Sequence, residues 1–230
     1  MPSRSAYEAL AHWMRAGAFE PDELRALRDR LLAQLDGDDP AGFRKPFAAL
    51  VLSELARTDR AQPWMTAGER AAMVAAAAGY VESVRDYRGY DDREGWRHGV
   101  AHGADWLMQL AMNPALDRAQ LDRILAAVAA QAVPDVSHAY VFGEAARLAR
   151  PVRFVAARGL HSEADWKAWL DAVSARSGPY PASGPRSRWL AQRHDLTAFM
   201  TALYMEIDTV DEGRADPLQA ALDAVLHPAD

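Results

Sequence analysis

Cysteine is absent from all 230 residues, which removes thiolate nucleophiles, cysteine-ligated zinc and iron–sulfur clusters as sources of function. Basic residues are in the minority: 26 Lys and Arg stand against 32 Asp and Glu, a net charge of −6 at pH 7. A surface of that sign argues against a phosphate-backbone binder, so no nucleic-acid partner is expected. No apolar run reaches the length of a membrane span, and the opening MPSRSAYEAL lacks the apolar core of a secretory leader. A cytoplasmic protein with no membrane partner is therefore expected. Val, Ile and Thr are scarce, which speaks against a β-sandwich or barrel. No G-x-S-x-G elbow and no Gly-rich phosphate loop occurs, and Ser137-His138 has no acidic partner nearby in sequence, so triad hydrolases and P-loop enzymes are disfavoured.

What is abundant is alanine, roughly one residue in five, the mark of a helix-rich chain. A chain this long buries about 70% of the surface its unfolded form exposes, enough for a core with neither disulfide nor metal. Residues 1–230 read as a single all-α domain. Helices are expected at 5–16 and from Pro21 through Leu24, Leu27, Leu31 and Leu35 to Gly37. Others follow at 43–58, from the capping box Thr66-Ala-Gly-Glu69 to about residue 84, at 96–112, and from the Asp117/Gln120 cap to about residue 132. Further helices are expected at 144–158 with a kink at Pro151, from Ser162 to about residue 174, at 187–206, and after Asp216-Pro217. Antiparallel pairs spaced by roughly 40 to 50 residues suggest a HEAT- or armadillo-like right-handed solenoid, with a compact irregular helical bundle as the alternative.

Unusual residue types cluster in one place, Asp86-Tyr-Arg-Gly-Tyr through Gly95-Trp-Arg-His98 to His102 and Asp105. At 100° per residue, His98, His102, Asp105 and Gln109 fall within about 60° of one another, while Trp96, Val100, Leu107 and Leu110 lie opposite. A solvent-facing stripe would hold Lys and Glu; this one is flanked by Ala101 and Met108, so the helix is expected to be central and buried. Buried imidazole and carboxylate need partners, because an unpaired polar group costs about 1 to 3 kcal/mol.

Three readings stand. In the first, His102 bonds Asp105 one turn on and His98 ties the 86–92 segment to the helix start, a structural network. In the second, the stripe lines a ligand or peptide groove that includes Asp86, Arg88, Gly89, Trp96 and Gln109. In the third, His98, His102 and Asp105 hold a divalent metal. His98 and Asp105 lie roughly 10.5 Å apart along one helix, near the limit for meeting at one ion, so Asp86, His138, Glu144 or His194 would have to complete the set. The H-x-x-x-H spacing is that of zincin proteases, but Gly99 stands where their general-base glutamate belongs. Arg88-Gly89 is expected either to anchor a carboxylate or to pair Arg88 with Asp86 or Asp105, Gly89 supplying an unusual backbone angle. Trp13, Trp64, Trp166, Trp169 and Trp189 are scattered as core or rim anchors, and His12, His161 and His227 stand alone near helix ends or caps.

Several short segments resemble a bacterial family known as domain of unknown function 2785. They are D-x-R-G-Y at Asp86 to Tyr90, G-W-x-H-x-x-A-H-x-A-D at Gly95 to Asp105, G-E-x-x-R-L at Gly143 to Leu148, and F-x-x-x-L-Y at Phe199 to Tyr204. The resemblance implies a helical bacterial protein with signature positions Arg88, Gly89, Trp96, His98, His102, Asp105, Glu144 and Arg147. It implies no activity. The residues themselves point first to a non-enzymatic binding module, with no cofactor and a peptide, protein or small polar ligand as partner. The alternative is a metal-dependent hydrolase on the His98/His102/Asp105 stripe.

Overall fold

The computed structural model describes residues 2–207 and 216–226 and is all-helical. Its helices are α1 (Pro2–Arg15), α2 (Pro21–Ala33), α3 (Arg44–Ala61), α4 (Ala67–Ser83), α5 (Gly99–Ala111), α6 (Arg118–Ala132), α7 (Glu144–Ala156), α8 (Glu163–Ala175), α9 (Ser187–Ile207) and α10 (Asp216–Leu226). A two-strand hairpin, β1 (Tyr90–Asp91) with β2 (Gly95–Trp96), stands between α4 and α5. The three expected capping boxes form: Thr66 with Glu69, Asp117 with Gln120, and Ser162 with Asp165 each satisfy two backbone N–H groups reciprocally. α7 stays helical through the buried Pro151, whose missing N–H is accommodated inside the element.

Helices two apart in sequence form the main interfaces. α3 packs on α5, α5 on α7 and α7 on α9, while α4 packs on α6 and α8 on α10. α1 and α2, neighbours in sequence, each make their main contact with α3. This packing fits the compact helical bundle. Trp106, Trp166, Phe199, Leu52, Leu107 and Leu148 are sealed in its core, each contributing about 1.5 to 3 kcal/mol through removal from water. Asp59, fully buried, fastens the layers: Oδ1 accepts the backbone N–H groups of Trp64 and Met65, and Oδ2 accepts from Arg70 and, at 2.9 Å, from Asn113 beyond α5. Among the described residues no helix is long and apolar enough to cross a membrane.

Because α3, α5 and α7 lie side by side, their first turns meet at one end. Phe43 and Phe47 at the start of α3, His98 and His102 at the start of α5, and Gly143 and Arg147 at the start of α7 line one cleft there.

Candidate functional site

The helix expected from Trp96 begins three residues later, at Gly99, because the preceding residues turn back as a hairpin. Asp91 Oδ1 accepts the N–H groups of Arg93 and Glu94 at 2.9 and 3.0 Å, which folds the tip and holds the Asp91 carboxyl below its usual range. Gly95 closes the turn with φ +84°, a left-handed conformation suited to glycine. The returning strand bonds the incoming one, Arg97 N–H donating to the Gly89 carbonyl at 2.9 Å.

His98 is therefore not on the helix but caps it, and it has a φ of +54°, the left-handed region, alone among the described non-glycine residues. Two contacts hold it there. Its Nε2–H donates to the Phe142 carbonyl at 3.1 Å, and its ring lies 4.2 Å from that of Trp96. His102, on the first turns of α5, donates Nδ1–H to the Pro46 carbonyl of α3 at 3.1 Å. A carbonyl can only accept, so in the neutral rings the lone pair falls on His98 Nδ1 and on His102 Nε2. Burial lowers the proton affinity of both; His102, with His98 beside it, is brought down to about 3. Both imidazoles are neutral acceptors at neutral pH, their rings perpendicular and 6.2 Å apart.

These groups sit in a cleft of about 860 Å³. Its walls are rings: Phe43 and Phe47 from α3, Tyr90 and Trp96 from the hairpin, and Phe142 before α7. Phe47 meets His102 edge-on at 5.6 Å, and Trp96 meets Phe142 edge-on at 6.0 Å. Tyr7 of α1 closes one side, its hydroxyl donating to Glu54 at 3.2 Å, and burial together with the Glu54 charge pushes the phenol up to about 12. Half of the Trp96 side chain remains exposed at the mouth.

The expected residues divide. Trp96, His98, His102 and Arg147 come together in the cleft. Asp105 does not make the expected bond to His102; it pairs with Arg147, so the buried carboxylate is met by a charge from the neighbouring helix, while the His98 backbone N–H does tie the 86–92 segment to the helix start through the Arg88 carbonyl at 3.4 Å. Burial raises the proton affinity of Asp105 and the arginine opposes that rise. Glu144 is buried and turned to the Phe142 N–H at 2.9 Å. Gln109 lies away from the cleft and accepts from Arg60 at 3.2 Å.

Arg88 forks onto Asp86 at 2.8 and 2.6 Å and also donates to the Pro40 carbonyl, so the expected pairing with Asp86 is present. Gly89 has no left-handed φ; it is required by proximity, since a Cβ there would stand 2.0 Å from the Phe142 ring. The proposed metal set is not brought together. Among the described residues no three His, Asp or Glu side chains are grouped to hold an ion, and His138 stacks on Tyr87 at 5.3 Å. Of the isolated histidines, His12 is exposed, His161 is buried against Asp122 at 2.7 Å, and His227 lies outside the described residues.

Sequence reasoning missed Tyr7, Phe43, Phe47 and Phe142 as wall residues. The i, i+4 spacing of Phe43 and Phe47 carries a signal, but one shared with any core helix.

No curated protein and no solved structure matches the chain. A family model matches residues 31–205, well over half of the sequence, and the chain belongs to that family, described as protein of unknown function (DUF2785).

Proposed function

We propose that the chain is a binding protein whose cleft takes a small ligand with a planar apolar body and N–H or O–H donors. The observation that carries this reading is the fixed orientation of two neutral imidazoles: each spends its N–H on a backbone carbonyl and keeps an acceptor lone pair, His98 on Nδ1 and His102 on Nε2. Ring walls supply the apolar contact and two placed acceptors supply orientation, the usual division of labour in small-molecule sites. A general base works best with a proton affinity near the working pH. An imidazole brought down to about 3 is suited to accepting a hydrogen bond and ill suited to keeping a proton taken from a substrate.

The test uses 4-aminophenol and benzoate as probes of the full chain, followed by equilibrium dialysis. 4-Aminophenol is expected to bind and benzoate not to, and His102→Phe, which keeps a ring but removes the acceptor, is expected to weaken binding at least tenfold. Preference for benzoate, or unchanged binding by His102→Phe, overturns the reading.

One observation favours a second reading. Metal-bound imidazoles also donate their other nitrogen to a carbonyl, as His98 and His102 do. A metal-dependent hydrolase built on these two ligands requires near-stoichiometric metal in tag-free protein, lost in His98→Ala and His102→Ala, and elemental analysis decides it.

A further inference from the structure

The tip of the hairpin between α4 and α5 forms part of the aromatic cleft. Asp92 and Arg93 stand there, both exposed and both in the cleft wall. Their neighbours Tyr90 and Trp96 pair their rings across the two strands at 5.0 Å, which joins the tip to the aromatic lining. The other charged groups of that wall are already met: Arg147 by Asp105, Glu94 by Arg97, and Glu8 is engaged as well. Among the described residues the Asp92 carboxylate and the Arg93 guanidinium have no partner, and Arg93 uses only its backbone N–H, on Asp91. Deeper in the cleft, where His102 is 8% exposed, the lone pairs on His98 Nδ1 and His102 Nε2 are not sealed.

We propose that the cleft takes an aromatic α-amino acid whose ring carries a hydrogen-bond donor. The ring lies between the aromatic walls with its donor on the histidine lone pairs, the ammonium meets Asp92, and the carboxylate meets Arg93. This inference rests on the reading of the cleft as a small-ligand site and narrows its ligand to one class. An α-amino acid holds two opposite charges on one carbon, and two adjacent tip residues offer the opposite charges side by side. A plain phenol leaves both tip charges unused, while a singly charged ligand attracts one and repels the other. From Arg93 to His98 the chain runs five residues, at most about 17 Å when extended. One amino acid with its side chain extended, together with the length of the arginine, covers that distance. Because the tip is in open water, each charge contact is worth only about threefold in affinity, whereas the buried acceptors discriminate more strongly.

Equilibrium dialysis of the full chain near pH 7.5 with L-tyrosine, tyramine, 3-(4-hydroxyphenyl)propionate, p-cresol and L-phenylalanine tests this. Tyrosine is expected to bind about threefold more tightly than tyramine or the propionate and about tenfold more tightly than p-cresol. Phenylalanine keeps both charges and lacks the donor, so it is expected to bind at least tenfold more weakly than tyrosine. Asp92→Asn is expected to remove the advantage of tyrosine over the propionate, and Arg93→Gln its advantage over tyramine. Both side chains are exposed and support no contact in the fold, so these variants should unfold in urea as the parent does. If 4-aminophenol binds but tyrosine is no tighter than p-cresol, or if the two variants keep both advantages, this inference is overturned and the cleft reading stands. If neither 4-aminophenol nor tyrosine binds, or if phenylalanine matches tyrosine, both fall.

Discussion

His102 donates its Nδ1–H to the Pro46 carbonyl at 3.1 Å, a buried bond that joins the start of α5 to the start of α3. The bond fixes the tautomer, and burial brings the ring's proton affinity down to about 3 from an unfolded value near 6.5. Between those values the unfolded chain binds a proton that the folded chain refuses, so the contribution is complete above about pH 6.5 and declines as pH falls. By pH 5 the loss is about 2 kcal/mol. Asp195 works in the opposite direction: burial raises its carboxyl to about 6, so its contribution is present at acid pH and lost as pH rises through 6. The effect of His102 is therefore isolated by difference. Urea midpoints of the parent and of His102→Gln, measured from pH 5 to 8, should converge toward acid pH as the parent loses stability that the variant lacks. Parallel profiles would show that His102 protonates equally in both states.

The Asp105–Arg147 pair predicts a second asymmetry. Asp105→Ala leaves the guanidinium without its carboxylate and should destabilise by about 1 to 3 kcal/mol. Replacing both, as Asp105→Leu with Arg147→Met, removes the burial penalty along with the attraction and should recover most of that loss. Urea unfolding of the two single variants and the double variant measures the coupling. Additive losses would mean that the two side chains do not depend on each other.

Much of the helical scaffold is legible in sequence because it is written in local chemistry. Thr66/Glu69, Asp117/Gln120 and Ser162/Asp165 are side chains answering their own backbone, and no tertiary information is needed to find them. The start of α5 is different. The stripe from His98 to Gln109 assumes one helix, whereas Asp91 folding the hairpin tip and Gly95 at φ +84° take residues up to Trp96 out of it. Those are also local signals, but the apolar periodicity of the following segment outweighs them in a reading by period. The partners of the stripe were out of reach for another reason. Pro46, Phe142 and Arg147 lie more than 40 residues from the groups they bind, and only the packing of α3 and α7 on α5 selects them.

Gly89 gives a test of the cleft wall. A methyl at this position would stand 2.0 Å from the Phe142 ring, far inside contact distance, and the backbone there is not left-handed. Gly89→Ala should therefore displace Phe142 and destabilise by about 1 to 3 kcal/mol through overpacking. Phe142→Ala in the same chain creates the missing room, so the double variant should be more stable than the sum of the two losses predicts. A Gly89→Ala protein with parental stability would place the Phe142 ring elsewhere.

His98 gives the sharpest test, because it reverses a familiar order. Inside a helix alanine is favoured over glycine by about 1 kcal/mol. At φ +54° the Cβ of any L-residue crowds the following carbonyl, and only glycine escapes a penalty of about 1 to 2 kcal/mol. His98 tolerates the position because its ring bonds the Phe142 carbonyl and rests on Trp96. His98→Ala loses both contacts and keeps the strain. His98→Gly loses both and releases it, so glycine should exceed alanine by about 1 kcal/mol in urea unfolding. The two variants should nevertheless bind 4-aminophenol equally poorly, since neither carries the acceptor lone pair. If alanine proves the more stable, His98 belongs to a regular first turn; if glycine retains binding, the strain serves the backbone and the ring takes no part in recognition.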